Sequence, residues 1–185
     1  MDYGERYKAE LVTAIHNIDL VKVNQVIDCL KDARSHSRCI FTCGTGGAGA
    51  AGSQFLADTI KQANIRKGPR VRILCLNAQI PTPSDGATEQ PRDRLFLEQL
   101  KGFAEPGDAL IGISGSGNAA SIVAAFEYAN WIGCRSIAIS ASSTGKIASV
   151  ANINLTVPPS HAGSTDDALL AVCHMIGYYF LDSDQ

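Results

Sequence analysis

Five short apolar runs, interleaved with stretches of helical periodicity, constrain this chain more than any other feature. They lie at 39–43, 71–76, 109–114, 136–140 and 153–157. They read as near-continuous apolar segments, the pattern of strands covered on both faces rather than wet on one. Helical patterns follow them at about 51–64, 92–103, 119–132, 145–150 and 165–181. Strands that alternate with helices need crossover connections, and so predict an α/β fold with a parallel sheet between two helical layers.

Two further helical patterns come first, at about 5–16 and 19–33, with Leu11, Ile15 and Ile18 and then Val23, Val26, Ile27 and Leu30 on an apolar stripe. No repeat, linker or low-complexity tract interrupts the chain. A single domain over 1–185 is expected, with 1–35 as a helical N-terminal extension and 36–185 as the α/β sandwich.

Composition agrees and excludes several classes. Of 185 residues, 45% are hydrophobic and 18% charged, enough apolar side chain for a packed core. Sixteen Lys and Arg against eighteen Asp and Glu leave a formal charge of −2, with no electrostatic footprint for nucleic acid. No apolar run reaches the roughly 18 residues of a membrane span. Charged side chains at Asp2, Glu5, Arg6, Lys8 and Glu10 do not read as a secretory signal. Cys29, Cys39, Cys43, Cys75, Cys134 and Cys173 never form a C-x-x-C, and most sit in apolar runs. They are expected as buried free thiols of a cytoplasmic protein rather than zinc ligands.

Two Gly/Ser-rich loops carry the functional signal. Gly44–Gly49 follows the first strand, Ser114–Asn118 follows the third, and each leads into a helix. In a sheet of order 2-1-3-4-5 these strands flank the point where strand order reverses, the usual ligand crevice of an open α/β sheet. Unpaired N–H groups at a helix start suit an anion, and small residues let it approach. The alternative is a pair of tight turns that need glycine only for their geometry. Gly44-x-Gly46-x-x-Gly49 also matches the dinucleotide fingerprint, but the second strand ends Leu76-Asn77-Ala78 with no carboxylate for a ribose hydroxyl. NAD is therefore a minor reading.

Cys43-Gly-Thr-Gly-Gly-Ala48, Leu76-Asn-Ala78, Gly112-Ile-Ser-Gly-Ser-Gly-Asn118 and a last helix bearing His174 together resemble the sugar isomerase (SIS) domain, with the phosphoheptose isomerases as the nearest subgroup. The resemblance covers nearly the whole chain. It implies a flavodoxin-like three-layer αβα sandwich on a five-stranded parallel sheet, assembled as a homotetramer with sites at subunit interfaces. It implies isomerisation of sedoheptulose 7-phosphate, or a related sugar phosphate, through an enediol.

That reaction needs groups that move protons on and off carbon and oxygen. The resemblance places them on Asp58, where the family has Glu, and His174, with Glu89 assisting. Gly46, Gly47, Ala48, Ser114, Gly115, Ser116, Gly117 and Asn118 would hold the phosphate. Asp58 has its own alternative, a solvated face shared with Gln54, Lys61 and Gln62. His174 could equally be a structural histidine, and Ser164–Asp167 reads as a helix-capping box.

Several family positions differ. Ala48, Gly115 and Ala119 stand where hydroxyl residues are usual. Some family members bind zinc, and the matching set here is Gln54, Asp58, Asp166 and His174. Gln54 replaces a histidine and is a poor zinc ligand, so no cofactor is assigned. These departures keep a second reading open, a non-catalytic module that senses a phosphosugar or docks a partner protein.

Overall fold

The computed structural model describes residues 2–65, 70–79, 92–158 and 161–182. Glu89, expected to assist catalysis, lies outside the described residues. Strands β1 (Cys39–Gly44), β2 (Arg72–Cys75), β3 (Ala109–Ser114), β4 (Arg135–Ser140) and β5 (Ile153–Thr156) form one sheet in the order β2-β1-β3-β4-β5. Every neighbouring pair is parallel. The helices are α1 (Tyr3–His16), α2 (Leu20–Ser35), α3 (Gly47–Ile65), α4 (Leu95–Phe103), α5 (Ala120–Trp131), α6 (Lys146–Val150) and α7 (Ala162–Asp182). This is the three-layer sandwich read from the sequence.

Alternate strand residues feed two separate cores. Ile40, Ile111, Ile113, Ile137 and Ile139 face a layer of α2, α3 and α7. Phe41, Leu110 and Ala138 face α4, α5 and α6 through Leu100, Phe126 and Ile147. Burial on both faces is why the central strands show no polar alternation. Chain direction explains the uneven layers. The β1-to-β2 crossover runs one way along the sheet and the later crossovers run the other, so right-handed connections place α3 on one face and α4, α5 and α6 on the opposite one. One crossover helix cannot cover five strands, and α2 and α7 complete that face. The expected N-terminal helices are present, but α2 is a member of the layer, its Val26 and Leu30 fully buried in the core. α1 lies outside that layer, packed against α7.

Three helix starts fall earlier than periodicity predicts. At α1, Asp2 accepts from the Glu5 N–H at 2.8 Å while Glu5 accepts from the Asp2 N–H at 3.0 Å, a capping box that starts the helix at Tyr3. At α3, Gly46 has φ +63° and turns the chain straight into helix, so Gly47–Ala50 belong to the first turn. At α7, the Thr165 N–H already donates to the His161 carbonyl at 2.9 Å, which puts Ser164 inside the helix. The expected Ser164–Asp167 capping box is not what starts it: the Ser164 hydroxyl donates back to the His161 carbonyl at 3.0 Å.

Candidate active site

β1 and β3 are neighbours, and Gly44 pairs with Ile113 in register. The two glycine loops therefore leave the sheet side by side, at the point where strand order reverses. The first loop is held by close packing. A Cβ at Gly44 would sit 2.7 Å from the Ala48 carbonyl oxygen and 2.8 Å from the Gly49 Cα, so only glycine fits. Asn77 grips the same residue from the end of β2. Its Oδ1 accepts from the Gly44 N–H at 2.9 Å and its Nδ2 donates to the Gly44 carbonyl at 2.8 Å. The side chain thus continues the β1–β2 ladder beyond the strand. Ala48 is 1% exposed and turned into the core, so its backbone alone can meet a ligand.

The start of α3 is already next to a negative charge. A Cβ built on Gly47 would overlap the carboxylate of Asp166, from the first turns of α7. A carboxylate beside a helix N-terminus is favourable for the helix. It also disfavours a second anion there.

The second loop is built differently. The Ser114 Oγ accepts from the Gly117 N–H at 3.1 Å, and the Ser116 Oγ accepts from the Asn118 N–H at 3.2 Å. Each hydroxyl keeps its own proton to donate. Ser114 is buried and Ser116 exposed, and a Cβ added to Gly115 would meet open space. Among the described residues, no carboxylate is hydrogen-bonded or ion-paired to this loop.

α3 and α7 run parallel along the same face, in contact from Gly47 and Asp166 to Phe55 and Gly177. This brings Asp58 and His174 together, the His174 Nε2 lying 3.4 Å from the Asp58 Oδ2. Separation suits an ion pair, yet Oδ2 makes no aligned hydrogen bond; the contact is electrostatic. The other carboxylate oxygen accepts from Gln54 Nε2 at 3.0 Å. The Asp58 side chain is only 8% exposed against 42% for His174. The solvated alternative for Asp58 is thereby overturned: the neighbouring helix covers it, which one helical wheel could not show. Tyr178 stands edge-on to the His174 ring at 5.7 Å. Cys173, adjacent in sequence, is buried, and burial together with the Asp58 charge pushes its thiol up to about 12, so it does not act as a thiolate.

The four positions matched to a zinc site do not converge. Asp166 lies at the start of α3 against Gly47, whereas Asp58 and His174 meet further along the same helices. Gln54 presents its amide N–H₂ to Asp58 rather than an acceptor to a metal. Among the described residues, no group of three His, Cys, Asp or Glu side chains is placed to hold a metal ion. These residues do not fit zinc as arranged.

Sequence reasoning passed over the positional roles of four residues. Asn77 was read as the end of a strand and as part of a family motif, with no contact assigned to it, yet its amide holds the Gly44 backbone. Asp166 was read only as a family metal position. The turn at Gly145 and Lys146 carried no signal beyond a short helix.

A parallel five-stranded sandwich with paired glycine loops at its switch point is the architecture expected of a SIS domain, and the comparison with known families agrees. The SIS domain family model matches residues 3–141, and the chain belongs to that family. More particularly, it is 27% identical over 173 residues to a probable phosphoheptose isomerase of Thermoplasma acidophilum, covering 94% of each chain. It is 27% identical over 154 residues to a phosphoheptose isomerase of Akkermansia muciniphila, covering 83% of this chain and 81% of that one. A solved phosphoheptose isomerase from Francisella tularensis superposes with a TM-score of 0.85 at 18% identity, over 97% of this chain and 94% of that one.

Proposed function

We propose that this protein is a sugar-phosphate isomerase that interconverts an aldose and a ketose phosphate, with sedoheptulose 7-phosphate as the leading substrate. The single observation that carries the reading is the Asp58–His174 pair, in a domain of this family whose relatives are named phosphoheptose isomerases. A buried carboxylate beside a half-exposed imidazole is an arrangement suited to moving protons. The phosphate sits on the second loop, held by the Ser114 and Ser116 hydroxyls and the local backbone. The Asp166 carboxylate turns an anion away from the first loop, where Gly46, Gly47 and Ala48 face the sugar hydroxyls instead.

The burial difference divides the roles. His174 is the group that meets the sugar. It takes the proton from the carbon next to the carbonyl, and that electron pair becomes the enediol double bond as the carbonyl oxygen gains a proton. The proton returns to the neighbouring carbon while the other oxygen loses one, so nothing is gained or lost overall. Asp58 accepts from Gln54 and faces the imidazole from behind. It orients the imidazole and stabilises its positive charge.

Asp58 lies eleven residues beyond Gly47 on α3, about 16 Å along the helix. That separation supports a site completed by a second copy, whose loop would face the first copy's His174. Tyr178, Ile60 and Ile15 are large apolar side chains 38–46% exposed, which fits surface covered in a homotetramer. A cytoplasmic location fits six unpaired cysteines.

The test is thermal stabilisation by a panel of sugar phosphates, followed by NMR on any stabilising ligand. Stabilisation with turnover of sedoheptulose 7-phosphate is expected. Stabilisation without turnover would replace the enzyme by a phosphosugar sensor, a reading that the absent hydroxyls at Ala48, Gly115 and Ala119 favour. No stabilisation by any phosphosugar would sink both.

A further inference from the structure

We propose that the backbone of Gly145 and Lys146, on the loop after β4, is a positioning element of the phosphate site: it holds the second glycine loop in its anion-ready shape. The inference rests on the assignment of phosphate to Ser114–Asn118 and names a part of that site on another strand's loop.

Three contacts converge on the end of the glycine loop. The Ile147 N–H donates to the Gly117 carbonyl at 3.0 Å. The Lys146 N–H donates to the Asn118 Oδ1 at 3.1 Å. Gly145 packs so closely that a Cβ there would lie 2.7 Å from the Gly117 carbonyl oxygen and 2.8 Å from its Cα. Gly145 itself has φ −65° and ψ 152°, a conformation open to any residue. Glycine is therefore needed at 145 for the approach to Gly117 and not for backbone freedom.

Gly117 has φ +68°, the left-handed conformation that lets the loop turn into α5. Its N–H donates to the Ser114 Oγ at 3.1 Å, so its position also sets the direction of that hydroxyl. Asn118 uses both ends of its side chain in the loop, since its Nδ2 donates to the Ser116 carbonyl at 3.1 Å. It acts as a strut between two loops rather than as a phosphate ligand. The other end of the brace is anchored to β4, where the Ser140 hydroxyl donates to the Ser142 carbonyl at 3.0 Å. A displacement at 145–147 therefore moves Asn118 and Gly117, and through the Gly117 N–H it reaches the Ser114 hydroxyl assigned to the phosphate.

Lys146 is the first residue of α6, a position that suits proline, and the extended backbone of Gly145 suits the residue before a proline. Lys146→Pro thus deletes one N–H with little strain. Lys146→Ala loses the same side chain and keeps the N–H, so the difference between the two variants reports the brace alone. KM and kcat for sedoheptulose 7-phosphate, inhibition by inorganic phosphate, and deuterium uptake of the 114–119 segment would be measured for both.

Relative to Lys146→Ala, Lys146→Pro is expected to raise KM and the phosphate inhibition constant together, roughly 3- to 10-fold, as loss of one hydrogen bond would, with kcat within about twofold. Uptake at 114–119 should be faster. Equal constants and equal uptake in the two variants would overturn the proposal. If uptake separates them while the unsubstituted protein binds neither ligand, the phosphate assignment has failed, and the brace is reduced to a structural contact, which also overturns the positioning role.

Discussion

The Asp58 carboxylate lies 3.4 Å from the His174 imidazole across two parallel helices, and it is the buried member of the pair. Parallel packing of α3 and α7 creates that relationship. Both helices start beyond the carboxyl ends of parallel strands, α3 after β1 and α7 after β5, so residues further along each come into contact.

Replacing His174 by Asn should lower kcat by about 10² to 10⁴, the usual worth of a positioned acid or base. Asp58→Asn keeps an oxygen to accept from Gln54 and loses the charge. It should cost about tenfold to a hundredfold, as loss of an orienting partner does for ligating histidines. The double variant should be no slower than His174→Asn, because the two act as one unit. An Asp58→Asn loss as large as that of His174→Asn, read by NMR turnover, would make the carboxylate itself the proton-transfer group.

Gly115 is the missing hydroxyl position that the structure leaves free to refill. Its φ is not positive and a Cβ there meets nothing within 4 Å. Gly115→Thr should fold normally and lower KM for a sugar phosphate by roughly tenfold or more, the gain from one added hydrogen bond to a charged oxygen. Calorimetric titration with sedoheptulose 7-phosphate checks this, and unchanged affinity would move the phosphate off this loop.

Gly112 lies in the middle of β3 under α5. A Cβ there would stand 2.6 Å from Ile122 Cγ2 and 2.6 Å from Phe126 Cζ, both in fully buried side chains. Gly112→Ala should destabilise the protein by about 1–3 kcal/mol through overpacking. Urea unfolding measures it; an unchanged midpoint would mean that α5 can move off the sheet without cost.

Tyr7 ties α1 to α7 by donating to the Asp167 carboxylate at 2.7 Å. That hydrogen bond, chiefly, raises the phenol from its ordinary value of 10.0 to about 12. A raised phenol favours the fold while it stays protonated. The contribution is complete below pH 10 and lost as pH rises through 12. Tyr7→Phe should therefore melt below the unsubstituted protein at pH 8, and the gap should close toward pH 12. A gap that persists there would assign the effect to packing rather than to the proton.

Much of this architecture is legible in the linear pattern because its causes are local. Near-continuous apolar runs at 109–114 and 136–140 mark central strands, since burial on both faces removes any reason for polar alternation. Helix starts were less legible. The first turn of α3 is Gly47-Ala-Gly-Ala50, which has no apolar periodicity and lies in the helix because Gly46 turns the chain into it. Ser164 looked like a cap by composition, but the His161 carbonyl had already begun α7.

The site divides in the same way. Glycines at 44, 46 and 117 announce two loops at the switch point, because backbone that must turn sharply or lie against other backbone excludes a side chain. Which groups those loops meet is a matter of distance between remote segments, and no spacing in the chain encodes it. Asp58 had a solvated helix face as its alternative reading until α7 covered it. Asn118 was expected as a ligand, and no spacing announced that its Oδ1 would also accept from the Lys146 N–H on another loop. Local periodicity and conformational preference set the strands, helices and turns; only the packing of α3 on α7, and of the β4 loop on the β3 loop, decided which side chains are buried, paired or left to meet a substrate.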